Sequence, residues 1–301
     1  MVTVRVPAST TNLGPGFDVL GLALSLHNEI TLAPIEGVGV TVEIVGEGAA
    51  DGALPRDEHN LVFRAAERAY AAVGQTAPAM RIRLLNRVPL ARGLGSSSTA
   101  IVGGLVGANS LLGRPLDDET LLRIAVEMEG HPDNVTPALM GGFQVVSATD
   151  DEVIHLRLPM PRGLRAVVCV PAMEILTDEA REALPLRISH RDAVFNVGRV
   201  ALLVAALTQN RPDLLSRAME DRLHQPYRST LLPGYDAAVE AALGAGAAGA
   251  CLSGSGSSLL ALTTDRAAAV GEAMVAALRD HGVEARAMEL PVDEEGAVVL
   301  D

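Results

Sequence analysis

Residues 89–100 read PLARGLGSSSTA. Two glycines and three serines stand between a strand-like run, RIRLLNRV at 81–88, and an apolar run that begins at Ile101. The first N–H groups of a helix have no intrahelical partner, and the aligned peptide dipoles place partial positive charge there. Glycines before such a helix let a phosphate approach those groups. A serine hydroxyl at the same place can ligate Mg2+. The stretch therefore reads as a cradle for a triphosphate, with a serine-capped helix after a glycine turn as the plainer alternative. All 24 basic residues are arginine. A P-loop requires lysine and is excluded. The missing third glycine of GxGxxG argues against a dinucleotide site.

Strands are expected upstream at 2–6, 39–46 and 81–88, with a helix at about 60–73 that carries Leu61, Ala65, Ala69 and Val73 at helical spacing. Downstream of the loop, Ile101, Val102, Leu105, Val106, Leu111 and Leu112 fall near one helical face. Gly103, Gly104 and Gly107 interrupt it, each at a cost of about 1 kcal/mol relative to alanine, which predicts close packing on that side. Asp117 or Asp118 caps a further helix, about 118–129, that stops at Gly130. From about residue 160 the pattern changes. A buried strand at 164–171, helices at about 191–209 and from about 212, and a strand–turn–strand at 249–263 follow one another. A helix at 265–282 capped by Asp265 and a closing strand at 284–290 complete the order of a ferredoxin-type α+β sandwich.

With 49% hydrophobic residues in 301, the chain has ample core material, and aromatics at 2% leave that core to Ala, Val, Leu and Ile. The net charge of −13 and singly scattered arginines predict neither nucleic acid nor an anionic membrane as partner. Cys169 and Cys251 lie in apolar runs and read as buried free thiols of a reducing cytoplasm. The N-terminus reads as a strand rather than a signal peptide, and VALLVAAL at 200–207 falls far short of the ~20 residues that span a bilayer. A soluble cytoplasmic protein is expected.

Three more segments bear on the loop: PASTTNLGPGFDVLGLAL at 7–24, taken as a polar loop; EGHPDNVTPALMGG at 129–142; and SGSGSS at 253–258. In this order and at these separations the four resemble the GHMP small-molecule kinase superfamily. Its ATP-loop pattern is matched at Pro89, Gly93, Leu94, Gly95, Ser96, Ser97 and Ala100, and the resemblance covers essentially the whole chain. Within the superfamily the signatures are most similar to those of the homoserine kinases, joined by ILTDEAREALP at 175–185 and HQPYRSTLLPG at 224–234. Ser257 departs from the pattern, which often has proline there.

The resemblance implies an α+β, two-lobed GHMP kinase fold. Residues 1–160 form the N-terminal lobe with the ATP loop, and residues 161–301 form a ferredoxin-like C-terminal lobe. It implies transfer of the ATP γ-phosphoryl group to the side-chain hydroxyl of L-homoserine, a step toward threonine, with Mg2+ as cofactor. Pro89, Leu90, Ala91, Arg92, Gly93, Leu94, Gly95, Ser96, Ser97, Ser98 and Thr99 bind the phosphates, with Asn60 on the adenine side. Ser97 and Glu127 hold the metal, Glu127 being preferred to Glu129. Arg181 and Arg228 take the acceptor's carboxylate, since the planar guanidinium fork pairs bidentately with one. Asp18 and Asp133 take its ammonium group, and Gly254 lies in the same site. Asn12 and His131 orient its hydroxyl, Asn134 faces the transferred group, and Thr177 stands nearby. Neither aspartate is expected to act as a dedicated general base, because the loose transition state makes little early demand for deprotonation. Homodimers are common in that family. The rivals are a shikimate- or mevalonate-type kinase, or a silent ligand-binding homologue.

Overall fold

The computed structural model describes residues 1–50, 52–149 and 152–300. The chain begins with β1 (Val2–Asn12), β2 (Gly16–Pro34), β3 (Val40–Gly46), α1 (Leu61–Ala72) and β4 (Met80–Asn86). Then come α2 (Ser96–Leu111), α3 (Asp118–Glu129), α4 (Pro132–Met140), β5 (Phe143–Ala148) and β6 (Val153–Leu158). The remainder comprises β7 (Arg165–Pro171), α5 (Thr177–Glu182), α6 (His190–Thr208), α7 (Leu215–Ala218), α8 (Gln225–Arg228) and α9 (Tyr235–Gly244). It ends with β8 (Gly249–Leu252), β9 (Leu259–Thr263), α10 (Ala267–Asp280), β10 (Ala285–Leu290) and β11 (Val298–Leu300).

Two sheets result. The first runs β11-β1-β2-β4-β3, with β5 on a further part of β2 and β6 on β5. Among the described residues only β3–β4 of its pairs is parallel. The second is antiparallel in the order β10-β7-β9-β8. With helices between its first and second and its third and fourth strands, this is the split topology expected of a ferredoxin-like lobe.

Three apolar clusters hold these layers together. Val4, Val6, Ile30, Leu32 and Ile82 of the first sheet pack under α1, α2 and α3. Its Ala8, Leu20, Leu22, Leu24 and Phe143 meet Val168, Val170, Leu260 and Leu262 of the second sheet, with α6 and α7. Val167, Cys169, Leu259 and Ala261 pack the other way, against α9 and α10. Alternate residues of β7 thus face two different cores, which is why that strand reads as an unbroken apolar run. Both cysteines are buried free thiols, as their apolar context predicted; burial pushes Cys169 up to about 12 and Cys251 higher still.

Helix α2 is buried on nearly every side, and its glycines face neighbours as expected. A Cβ on Gly103 would strike the Ile30 side chain, one on Gly104 the Val62 carbonyl of α1, and one on Gly107 the Leu32 side chain. Gly104→Ala gains helix propensity of about 1 kcal/mol, but the contact it creates is with backbone, and overpacking costs about 1–3 kcal/mol. We expect a net loss, read as a lower Tm and a lower urea midpoint with an unchanged m-value.

The structure departs from the sequence expectations in several places, among them the helices α4 and α5, which were not foreseen. Residues 7–24 are not a loop: they form the end of β1, a turn at 13–15 and the start of β2. The left-handed backbone at Asn12 and Leu13, followed by Gly14, makes that turn. Asp117 caps α3 through the Thr120 N–H, but Asp265 does not cap α10. That helix starts after Arg266, with no side-chain cap. Strands β5 and β6 were not foreseen. β10 is not the last strand either, because the chain returns to the first sheet as β11, beside β1. None of the helices is long and apolar enough to cross a membrane, among the described residues.

Candidate active site

A cavity of about 560 Å3 opens where the ATP-loop segment, the β1–β2 turn, α4, α5 and the 253–258 turn meet. Helix α2 starts at its wall. The residue before it, Gly95, is left-handed (φ +69°), and neither a side-chain cap nor an acidic residue in the first turn competes for the free amides. A Cβ on Gly95 would collide with Ser9 Oγ, and one on Gly93 with the Ser253 carbonyl. Only glycine fits these two positions, and the loop is pinned from both sides. Ser9 N–H donates to the Leu94 carbonyl at 3.1 Å, and Ser253 Oγ–H donates to the Gly93 carbonyl at 2.7 Å. Ser258 N–H donates to the Arg92 carbonyl, and Ile175 N–H to that of Ala91. The second glycine-rich turn is therefore a clasp on the first. Ser257, in that turn, is buried and hydrogen-bonds the Met173 carbonyl.

Most of the expected phosphate-loop residues line the cavity: Leu90, Ala91, Arg92, Gly93, Leu94, Gly95, Ser96 and Ser97. Pro89, Ser98 and Thr99 do not line it. Thr99 is turned inward, where Asn28 Nδ2–H donates to its hydroxyl at 2.8 Å. Arg92 also belongs to the scaffold, donating to the carbonyls of Leu90, Pro171 and Ala172 and pairing with Glu174 at 3.1 Å. Asn60 lines the cavity and also caps α1 by accepting from Val62 N–H. Around it Ile30, Leu54, Pro55, Leu61, Val62 and Leu84 give an apolar lining that no motif announced.

The preference between the two acidic candidates is reversed. Glu127 points away from the cavity and pairs with Arg68 at 2.6 Å and Arg123 at 3.1 Å on the outer surface. Glu129 lines the cavity, with its side chain only 7% exposed. Ser97 Oγ–H donates to its Oε1 at 2.6 Å and Ser98 Oγ–H at 3.0 Å. Hydroxyl and carboxylate oxygens are the hard donors that suit Mg2+, so Ser97 with Glu129, not Glu127, fits a metal.

The polar end gathers the remaining candidates. Asn12, Asp18, His131, Asp133, Asn134, Thr177, Arg181, Arg228 and Gly254 all line the cavity. Asn12 is held by donating to the Gly254 carbonyl at 3.0 Å and accepting from Asp18 N–H at 3.0 Å. Asn134 Oδ1 accepts from Ser9 Oγ–H at 2.8 Å, which sets it beside the loop. His131 Nδ1 pairs with Asp133 at 2.7 Å. Burial alone would push His131 down, but the hydrogen bond and charge of Asp133, with Glu129 and Asp18 behind it, hold its pKa above the ordinary histidine value.

The two arginines differ. Arg181 makes a bidentate pair with Asp18, both bonds at 3.1 Å and both side chains partly exposed. Arg228 is 2% exposed. Its guanidinium donates only to carbonyls, of Ala180 at 3.0 Å and Gly254 at 3.4 Å. No carboxylate is within ion-pair distance of it among the described residues. Burial, and then the charge of Arg181, push its pKa down to about 10, so it stays cationic at neutral pH. Asp18, Asp133 and Asp221 favour its charge from beyond ion-pair distance, but a buried cation without a direct ion pair is costly, and this one lines a cavity large enough for a ligand. The site thus offers an open helix N-terminus, a hydroxyl–carboxylate cluster and, farther along, a buried guanidinium beside an aspartate–arginine pair.

The family model "GHMP kinases N terminal domain" matches residues 60–142, and "GHMP kinases C terminal" matches 203–280. The homoserine kinase of Carboxydothermus hydrogenoformans is 46% identical over 300 residues, covering 100% of this chain and 97% of its own. That of Moorella thermoacetica is 44% identical, with 100% of both chains covered. Among solved structures, a homoserine kinase from Cytophaga hutchinsonii superposes with a TM-score of 0.91 at 36% identity, covering 99% of this chain and 97% of the other. A mevalonate kinase shares the fold at a TM-score of 0.71 and 12% identity, over 98% of this chain and 100% of the other.

Proposed function

The chain belongs to the homoserine kinases of the GHMP kinase family, and from that premise we propose that it transfers the γ-phosphoryl group of ATP to the side-chain hydroxyl of L-homoserine. The product is O-phospho-L-homoserine, on the way to threonine. The observation that carries this reading is Arg228, the buried cation without a carboxylate partner among the described residues, beside the Asp18–Arg181 pair. An α-amino acid brings one carboxylate and one ammonium group. The carboxylate would pair directly with Arg228, and the ammonium group would take the place of a guanidinium on Asp18, with Asp133 near.

Phosphoryl transfer asks the protein mainly for position and for charge neutralisation. The free amides at the start of α2 and the glycines before it receive the phosphates. Ser97 and Glu129 would hold Mg2+, and the ion when bound would help neutralise the phosphate charge. Asn12 and His131 orient the acceptor hydroxyl, and Asn134 faces the transferred group from beside Gly95. No residue is assigned as a dedicated base; His131, already hydrogen-bonded to Asp133, orients rather than abstracts. The apolar lining near Asn60 suits the adenine. Residues 1–160 and 161–301 form the two lobes of this proposal, with the last strand crossing back to the first. Two buried free thiols suit a reducing cytoplasm, where we place the enzyme.

The test is ADP release with Mg-ATP against L-homoserine, L-threonine, L-serine, shikimate and mevalonate. Turnover should favour L-homoserine strongly. No turnover with it, while ATP still binds, would overturn the assignment.

A further inference from the structure

Phe17 does not line the cavity and takes no part in the hydrogen bonding of the site, yet the two acceptor arginines meet at its ring. The guanidinium carbon of Arg181 lies 5.7 Å from the ring centroid, and that of Arg228 lies 5.0 Å away. A guanidinium within about 6 Å of an aromatic face is attracted by the ring quadrupole. His224 stacks on the same ring, at 5.2 Å between centroids and 26° between planes. It is fully buried, and burial holds its pKa below the ordinary histidine value. Its Nε2 is 2.7 Å from the Gly14 carbonyl, an acceptor, so Nε2 carries the proton and donates it. The imidazole is therefore a neutral plate that also pins the turn just before Phe17, and it adds no third positive charge.

Arg228 is already aimed by two carbonyls, so it is Arg181 above all that needs such a support. They repel each other, and among the described residues Arg181 has only two partners, the Asp18 carboxylate and the Phe17 ring. Once an ammonium group occupies Asp18, the ring is what remains to hold Arg181 toward a carboxylate. We propose that Phe17 is a positioning residue for acceptor selectivity: its ring, on which His224 also stacks, holds Arg181 and Arg228 together so that both meet one carboxylate. This inference rests on the homoserine reading above.

The experiment compares L-homoserine with L-homoserine amide, whose carboxylate is a neutral carboxamide, in the wild-type protein and in Phe17→Leu and Phe17→Tyr. In Phe17→Leu, KM for L-homoserine should rise about tenfold, the scale of two lost cation–π contacts. KM for the amide, KM for ATP and kcat should each stay within about twofold. Phe17→Tyr keeps a π-face and should restore the wild-type KM. Should Phe17→Leu not fold, stepwise fluorination of the ring at this position keeps the shape while draining the π-face. KM for L-homoserine should then climb with each added fluorine. An equal rise for both acceptors, failure of tyrosine to rescue, or indifference to fluorination would overturn the role of Phe17. If the wild-type protein does not phosphorylate L-homoserine at all, the reaction assignment fails and takes this inference with it; turnover by the wild type with any of the other adverse results sinks Phe17 alone.

Discussion

Arg228→Ala is expected to lower kcat/KM for L-homoserine by about 10³-fold, within the 2–5 kcal/mol that truncating one partner of a buried, hydrogen-bonded charge pair removes. The loss should fall mainly on KM, because the carboxylate is held alike in the ground state and in the transition state. Two features make the expected effect large. Arg228 is 2% exposed, so water cannot replace it as the carboxylate's partner. Its fork is already aimed by the Ala180 and Gly254 carbonyls, so little ordering remains when substrate arrives. Arg228→Lys should recover little, since one ammonium group cannot satisfy two carbonyls and a bidentate carboxylate together. KM for ATP should move by no more than about twofold, because Arg228 makes no hydrogen bond to the ATP loop. Steady-state kinetics with each substrate varied in turn checks all three statements. An Arg228→Ala enzyme with a near-normal KM for L-homoserine would remove the observation on which the acceptor assignment rests.

The loop was legible because its chemistry is local. Glycines at two positions where a Cβ would strike backbone or Ser9, followed at once by free helix amides, are contiguous in the chain. The order of the second sheet was legible too, from the alternation of strands and helices. The 7–24 segment was misread because polar residues there suggested a loop. In fact Ser9, Thr10 and Thr11 are buried strand residues whose hydroxyls hydrogen-bond Asn134 and Ser253. The apolar lining near Asn60 was invisible for a different reason. Ile30 and Leu84 alternate along β2 and β4 as any core residues do, and no sequence signal separates a side chain that faces a neighbour from one that faces a cavity. The same holds for Phe17, whose role lies in what α5 and α8 bring to it from far along the chain.

The choice between Glu127 and Glu129 was decidable from helical phase. Residues two apart on a helix face nearly opposite sides. Leu122 and Ala125 are core residues of α3, and Glu129 follows them at seven and four positions, on the same side. Glu127 instead follows Arg123 by four and pairs with it on the solvent side. Glu129→Gln is therefore expected to lower kcat by about 10²–10³-fold, the scale of losing one preorganised charge at a developing transition state. It should also move the Mg2+ dependence of the rate to higher concentration, because one hard, charged oxygen donor has become a neutral amide. Glu127→Gln should leave kcat and the Mg2+ dependence within about twofold, since it weakens only pairs with Arg68 and Arg123 that are about half exposed and typically contribute 0–1 kcal/mol. Titrating Mg2+ at saturating ATP for both variants separates the two residues. A large loss in Glu127→Gln with an unaffected Glu129→Gln would require α3 to turn by half a revolution when nucleotide binds, and would draw Leu122 and Ala125 out of the core to do so.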